Sequence, residues 1–111
     1  LVARLQEQIV SGAYPPGSKL PSVRDLAADA GVNPNTVQRA FAELERLGLI
    51  YTQRTSGKFV TEDAAAIDAA RRALAEGQTR QYLAAMSALG FDRAALITFL
   101  NQMEETKDAN S

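Results

Sequence analysis

The stretch from Gly31 to Pro34 constrains the fold of this 111-residue chain more than any other feature. Gly31 suits the left-handed backbone conformation that commonly ends a helix. Asn33 can cap the start of a new helix, and Pro34 suits its first position because an amide there has no intrahelical partner. Two helices joined by about three residues that include a glycine have the spacing of a helix-turn-helix.

The helix before this turn is predicted to begin near Val23 and to be only about two turns long. Ser22 and Asp25 fit a capping box, in which each side chain satisfies a backbone amide at the helix start. Upstream, Pro15-Pro16-Gly17 ends any preceding helix, because proline cannot donate an intrahelical hydrogen bond and glycine tolerates turn geometry. That first helix is predicted to carry one apolar face, formed by Val2, Leu5 and Ile9.

The helix after the turn is predicted to run from Pro34 to about Leu47, with Gly48 as its stop. Apolar residues recur along it at steps of three and four and predict one buried face: Val37, Ala40, Phe41, Leu44 and Leu47. The opposite face holds Asn35, Gln38, Arg39, Ala42 and Arg46. Asparagine and glutamine can each bond adenine in two places, and arginine suits guanine or phosphate. This polar face is therefore a candidate for the major groove of DNA, although any amphipathic helix has a polar outer face.

A two-stranded hairpin, here called the wing, is predicted after this helix. Its strands are Leu49–Arg54 and Lys58–Thr61, which carry β-branched and aromatic residues around the polar tip Thr55-Ser56-Gly57. Arg54 and Lys58 are candidates for contact with a phosphate backbone or a minor groove, and Gly57 would allow close approach. The alternative is a solvated hairpin whose charges only oppose edge pairing.

These motifs together resemble the DNA-binding domain of the GntR family of bacterial transcription regulators. The resemblance covers about the first 61 residues, and it is carried by Pro16-Gly17, Lys19-Leu20-Pro21-Ser22, Arg24, Leu26-Ala27, Gly31-Val32, Thr36-Val37, Arg39-Ala40, Leu44-Glu45 and Gly57-Lys58-Phe59-Val60. Residues 33–40, together with a short helical tail, are similar to the YtrA subfamily.

The resemblance implies that Arg24 contacts DNA from the second helix, that Asn35, Thr36 and Gln38 do so from the third, and that Gly57 does so from the wing. Many members carry arginine at the position of Pro34, and a guanine contact from that arginine cannot be made here. The full candidate DNA-binding set from residues and resemblance is Arg24, Asn33, Asn35, Thr36, Gln38, Arg39, Arg54, Gly57 and Lys58.

From Glu62 onward the chain is rich in alanine and predicted to be helical, either as one helix to about Leu89 or as two helices broken near Gly77. After Gly90, Asp92 can cap a last helix whose predicted buried face is Leu96, Phe99, Leu100 and Met103, and a polar tail follows to Ser111. Two such helices cannot bury their apolar sides alone, so a homodimer is predicted. The candidate dimerisation residues are Ile67, Leu74, Tyr82, Met86, Leu89, Leu96, Phe99 and Leu100.

The charge is distributed unevenly. The whole chain has a formal net charge of −1, but residues 1–61 hold seven basic residues against five acidic ones, and the remainder holds five against eight. The excess of basic residues thus lies in the part that carries the helix-turn-helix pattern, as expected if that part faces phosphate.

The composition also excludes several kinds of chemistry. The chain has no cysteine and no histidine, which removes disulfides, cysteine nucleophiles, imidazole bases and the usual zinc ligands. We therefore expect no catalytic residue, metal or cofactor. No apolar run approaches the length of a membrane span and no signal peptide is visible, which predicts a cytoplasmic protein that joins the nucleoid when bound to DNA and has no membrane partner. Because Leu1 is not methionine, the native chain is expected to begin further upstream.

The predicted fold class is α+β: a winged helix-turn-helix of three helices and a two-stranded wing over residues 1–61, then an all-α dimerisation region over residues 62–111. The predicted function is sequence-specific transcription regulation, as a homodimeric repressor on a pseudo-palindromic double-stranded operator. Three alternatives stay open: a winged helix used for protein docking, an enzyme, for which no motif spacing exists, and a small-molecule effector pocket lined by Tyr82 and Met86.

Overall fold

The computed structural model describes residues 1–103, and the predicted polar tail beyond Met103 lies outside the described residues. Seven elements follow one another along the chain: α1 (Val2–Val10), α2 (Val23–Ala30), α3 (Pro34–Arg46), β1 (Ile50–Gln53), β2 (Gly57–Val60), α4 (Ala64–Ala88) and α5 (Arg93–Gln102). Three helices and a hairpin followed by two further helices confirm the predicted fold class.

The chain divides into two compact units, the first spanning Leu1–Ala73 and the second beginning at Leu74. The division falls inside α4, so the first unit contains the whole predicted DNA-binding region and the beginning of α4. The predicted boundary between residues 61 and 62 divides the chain by role, into a DNA-binding domain and a dimerisation region, and it stays a prediction.

Local hydrogen bonds fix both helix starts of the helix-turn-helix. The Ser22 hydroxyl accepts a hydrogen bond from the Asp25 amide at 3.1 Å, and the Asn33 carboxamide oxygen accepts one from the Asn35 amide at 2.8 Å. Gly31 ends α2 in the left-handed conformation, with φ of 68° and ψ of 35°. Ser22 and Asn33 therefore cap the two helices as predicted, but the second bond of the predicted capping box, from the Ser22 amide to the Asp25 carboxylate, is not formed among residues 1–103.

A single hydrophobic core holds the first unit together, and α3 supplies its centre. Val37 and Leu44 have no exposed surface, and Phe41 is 2% exposed. The prediction that Leu47 belongs to this face was wrong, because α3 ends at Arg46 and Leu47 is 39% exposed. Gly48 then turns the chain with φ of 76°, and Leu49 enters the core in place of Leu47.

The wing is an antiparallel pair in which Ile50 opposes Val60 and Gln53 opposes Gly57. Gly57 therefore opens β2, whereas the sequence placed it in the tip. A third segment, absent from the prediction, pairs with the other edge of β2. There the Leu20 amide donates to the Lys58 carbonyl at 2.8 Å, and the Val60 amide donates to the Ser18 carbonyl at 2.9 Å. The wing is thus anchored to the chain that enters α2.

The start of α4 belongs to the first unit. Ile67 is 6% exposed in the hydrophobic core, and Ala70 packs against that core. The Arg71 guanidinium donates to the Val10 carbonyl at 3.1 Å and so satisfies an acceptor at the end of α1.

The second unit contains the rest of α4, which continues through Gly77 as one helix, and α5. Asp92 caps α5 by accepting a hydrogen bond from the Ala95 amide at 2.8 Å, as predicted. The predicted buried face of α5 is only partly correct for a single chain: Leu96 is 3% exposed, whereas Phe99, Leu100 and Met103 are 40%, 48% and 46% exposed. When two helices pack together, each covers one side of the other, and the opposite side of each stays exposed to solvent.

No single helix within residues 1–103 is long and apolar enough to cross a membrane. By length and composition alone, α4 and α5 pass that test as a pair, with a bend of 97° at the break between them.

Candidate nucleic-acid interface

The outward face of α3 is polar and open to solvent. Asn35, Thr36, Gln38 and Arg39 are all exposed, whereas Val37 and Ala40 between and beside them are buried. This separation follows from the 3.6-residue period of the helix, which alternates core and surface positions. Four side chains able to bond base edges or phosphates are thus presented together on one helix.

The N-terminal end of α3 is also suited to an anion. No acidic residue lies in the first turn, and Pro34 occupies the beginning of the helix. The helix dipole gives this end partial positive charge, although the amides of Asn35 and Thr36 already donate to Asn33 and Pro34 has none. Asn33, a predicted contact residue, uses its carboxamide oxygen for the cap, so only its amide nitrogen is left to donate to DNA.

The basic residues of this region differ in whether they already have an acidic partner. Arg24, Arg39 and Arg54 are exposed and form no salt bridge with any other residue in the range 1–103. Arg46 is engaged with both carboxylate oxygens of Glu43, and this hydrogen bond lowers the pKa of Glu43 and raises that of Arg46. The three unpaired arginines are the better candidates for phosphate.

Lys58, predicted to contact DNA, lies on the inner face of the wing and faces α3. Its ammonium group donates to the Glu45 carboxylate at 2.5 Å and to the Thr52 hydroxyl at 2.6 Å. The hydrogen bond from Lys58 is the main cause that holds the pKa of Glu45 below its ordinary value, and burial opposes it. The positive charge of Lys58 is therefore already compensated within the protein.

Arg54 and Gly57 lie where the wing turns. Arg54 is exposed in the three-residue connection between β1 and β2. Gly57 has φ of 112°, and a Cβ atom there would lie 3.2 Å from Cε of Lys19. The wing thus requires glycine here for its backbone conformation, and the flexible side chain of Lys19 passes close to it.

Lys19 is a candidate contact residue that the sequence analysis did not select. Its backbone bridges to Phe59 of β2, and its exposed side chain passes beside Gly57. The available signal was its place in the segment Lys19-Leu20-Pro21-Ser22, but only the pairing of that segment with β2 brings the lysine to the wing.

The predicted dimerisation residues differ in exposure within one chain. Ile67 and Leu96 are already buried, and Leu74 and Met86 are half-buried. The other four are exposed: Tyr82 (43%), Leu89 (69%), Phe99 (40%) and Leu100 (48%). Ile97, which the sequence analysis did not select, is 51% exposed on α5.

No group of three or more acidic, histidine or cysteine side chains among residues 1–103 is arranged to hold a metal ion.

A capped helix-turn-helix with an exposed polar second helix and an adjoining hairpin defines a winged helix DNA-binding domain. Residues 1–60 match the family described as "Bacterial regulatory proteins, gntR family". The chain therefore belongs to the GntR family and is a DNA-binding transcription regulator, which confirms the family and the class of function predicted from sequence.

Individual relatives agree with this assignment. The chain is 37% identical over 90 residues to the HTH-type transcriptional regulator YhcF of Bacillus subtilis, covering 81% of this chain and 74% of YhcF. It is 45% identical over 64 residues to the HTH-type transcriptional repressor YtrA of the same organism, covering 58% of this chain and 49% of YtrA. A solved GntR family transcriptional regulator from Listeria monocytogenes is 41% identical with a TM-score of 0.82, covering 93% of this chain and 90% of that structure.

Proposed function

We propose that this protein is a homodimeric repressor that places α3 of each protomer in the major groove of a two-fold symmetric operator. The observation that carries the proposal is the exposed polar face of α3, together with three exposed arginines that form no salt bridge among residues 1–103. The proposed contact set is Lys19, Arg24, Asn33, Asn35, Thr36, Gln38, Arg39, Arg54 and Gly57.

Recognition of bases rests on Asn35 and Gln38 in this proposal. Both side chains are exposed on α3, and carboxamides bond adenine through one donor and one acceptor. Because Pro34 provides no side-chain donor, guanine recognition falls to Arg24 and Arg39.

Phosphate contacts position the domain in this proposal. Arg54 lies at the tip of the wing, and the side chain of Lys19 passes beside Gly57 at the start of β2, so both are proposed to meet the phosphate backbone. Such contacts fix register and orientation without selecting sequence.

Dimerisation through α4 and α5 is supported by the apolar surface of the second unit. Tyr82, Leu89, Ile97, Phe99 and Leu100 are each at least 40% exposed. Exposure of several large apolar side chains on two consecutive helices favours an interface, and a symmetric dimer presents two recognition helices to two half-sites. The relative YtrA is named a transcriptional repressor, which supports repression as the mode of regulation. DNA as the proposed target supports the cytoplasm as the location of the protein.

The relatives are transcription regulators, and we propose that this chain likewise has no enzymatic activity. A chain without histidine and cysteine has few means of general base or nucleophilic catalysis.

The test is selection of bound sequences from a random duplex pool at about physiological salt, followed by affinity measurements on the selected site and on random DNA. We expect a two-fold symmetric site bound at least about 10³-fold more tightly than random DNA. Gln38→Ala should weaken binding to that site by about 1–3 kcal/mol and change binding to random DNA little.

Gln81→Ala is the matched control, because it makes the same chemical change at an exposed position of α4. Equal losses for Gln38→Ala on selected and random DNA would contradict base recognition by Gln38. Absence of any selected sequence would contradict the repressor and favour docking on a protein.

A further inference from the structure

The inner face of the wing, which is directed at α3, changes from apolar to polar along its length. Ile50 and Val60 oppose each other and are both buried in the core, at 3% and 0% exposure. Thr52 and Lys58, the next inward pair, also oppose each other, and they lie beyond the apolar core. Because strand side chains alternate between faces, Lys58 is directed to the same side as Val60, which is the side of α3.

Glu45, in the last turn of α3, meets this pair. One carboxylate oxygen accepts from Lys58 at 2.5 Å and the other accepts from the Thr52 hydroxyl at 3.2 Å. Lys58 also donates to Thr52 at 2.6 Å, so the three side chains form a closed ring of hydrogen bonds. The side chains of Lys58 and Glu45 are 29% and 37% exposed, which leaves the ring partly sheltered from water.

We propose that Lys58 is a positioning residue whose bond to Glu45 and Thr52 holds the wing against α3, and that it does not neutralise a DNA phosphate. This inference rests on the proposed DNA-binding function, since only a bound duplex makes the position of the wing matter. It assigns Glu45, an acidic residue beside a DNA-binding surface, a role that favours DNA binding.

The two possible roles of Lys58 predict opposite effects of removing its acidic partner. If Lys58 were a phosphate contact, Glu45 would compete with DNA for it, and Glu45→Gln would strengthen operator binding. If Lys58 positions the wing, Glu45→Gln loosens the wing and weakens operator binding although a negative charge has been removed.

The experiment measures operator affinity of the full chain and of its Glu45→Gln and Lys58→Met variants, each over a series of salt concentrations. For each single variant we expect a loss of about two- to five-fold, the effect of one partly exposed ion pair, and no further loss in the double variant. Removal of a phosphate contact would instead reduce the slope of log K against log salt by about 0.9 for each protomer.

Glu43→Gln is the matched control. It removes the same charge from the same turn of α3, but Glu43 is bonded to Arg46 and not to the wing. We expect its operator affinity to equal or exceed that of the parent. Operator binding by Glu45→Gln that equals or exceeds the parent's would overturn the inference while leaving the regulator intact, whereas failure of the parent itself to select a site would overturn the proposed function.

A second measurement needs no DNA. Amide hydrogen exchange of the free protein should be faster in β1 and β2 of Glu45→Gln than in Glu43→Gln, because local opening controls exchange. Equal exchange in the two variants would overturn the positioning role even if affinity falls. Glutamine is nearly isosteric with glutamate, and circular dichroism of both variants establishes that they are folded.

Discussion

Gly31→Ala is expected to destabilise the first unit through backbone conformation alone. Gly31 ends α2 with φ of 68° and ψ of 35°, and a Cβ atom there would meet no atom of residues 1–103 within 4 Å beyond Gly31 and its two chain neighbours. No contact with another segment therefore contributes to the cost. An L-residue in this conformation costs about 1–2 kcal/mol, and the lower entropy of the unfolded alanine chain returns about 0.4–1 kcal/mol.

The net loss in free energy of unfolding should be about 1 kcal/mol. It can be measured as the shift in urea midpoint at constant m-value, at one fixed protein concentration. Gly31→Asn should lose less, since asparagine tolerates the left-handed conformation better than alanine.

Gly77→Ala is the internal counterpart of this experiment. Gly77 lies inside α4, its φ is not positive, and its Cβ would also meet no atom of residues 1–103 within 4 Å beyond its chain neighbours and the adjoining backbone of α4. Here alanine should stabilise the helix by about 0.8–1 kcal/mol, because glycine is a poor helix former. The same substitution should thus lower the free energy of unfolding at Gly31 and raise it at Gly77, although neither site is crowded. A loss at Gly77 equal to that at Gly31 would refute the argument from backbone conformation.

Three further outcomes are expected. Val37→Ala should lower the free energy of unfolding by about 1–3 kcal/mol because Val37 is fully buried, yet the folded variant should bind the operator within about two-fold of the parent. The pKa of Glu45 is lower in the folded protein than in the unfolded chain, so the stability that its ionised carboxylate contributes is present above the unfolded pKa and is lost as the pH falls through the folded pKa. The difference in unfolding free energy between the parent and Glu45→Gln should therefore shrink below about pH 4.5. Leu100→Glu, on the exposed side of α5, should give monomers in sedimentation experiments. Thr98→Glu, which adds the same charge to the same helix, should leave the dimer intact, and an intact dimer in both variants would contradict this interface.

The helix-turn-helix could be predicted from sequence because its determinants are local. The Ser22 and Asn33 caps span two or three residues, and Gly31 acts through its own backbone angles. Such features depend on residue type and short spacing, which a sequence displays directly. The periodic burial of α3 has the same origin, and it failed only at Leu47, where the helix had already ended.

The features that the sequence analysis missed depend on contacts between distant segments. The bridge between Lys19 and Phe59 joins residues on either side of the whole helix-turn-helix, and nothing in the local pattern of either segment specifies it. The bond between Glu45 and Lys58 depends on the register of the wing, since a slip of one residue would turn Lys58 to the other face. The exposed side of α5 likewise follows from which neighbours α5 has, and not from its own apolar pattern.

Pairing also changes what the basic residues of the first 61 positions can do. Arg46 forms an ion pair with Glu43, and Lys58 forms one with Glu45. These pairs leave the net charge of the region unchanged, but its unpaired positive charge lies on other basic side chains. The basic residues proposed to contact DNA, at a phosphate or at a guanine, are then Lys19, Arg24, Arg39 and Arg54 in each protomer. Even if all four neutralise a phosphate, a dimer should show a slope of log K against log salt no steeper than about −7. A clearly steeper slope would mean that Arg46 or Lys58 exchanges its carboxylate for DNA, and it would contradict the division of these residues into contact and positioning roles.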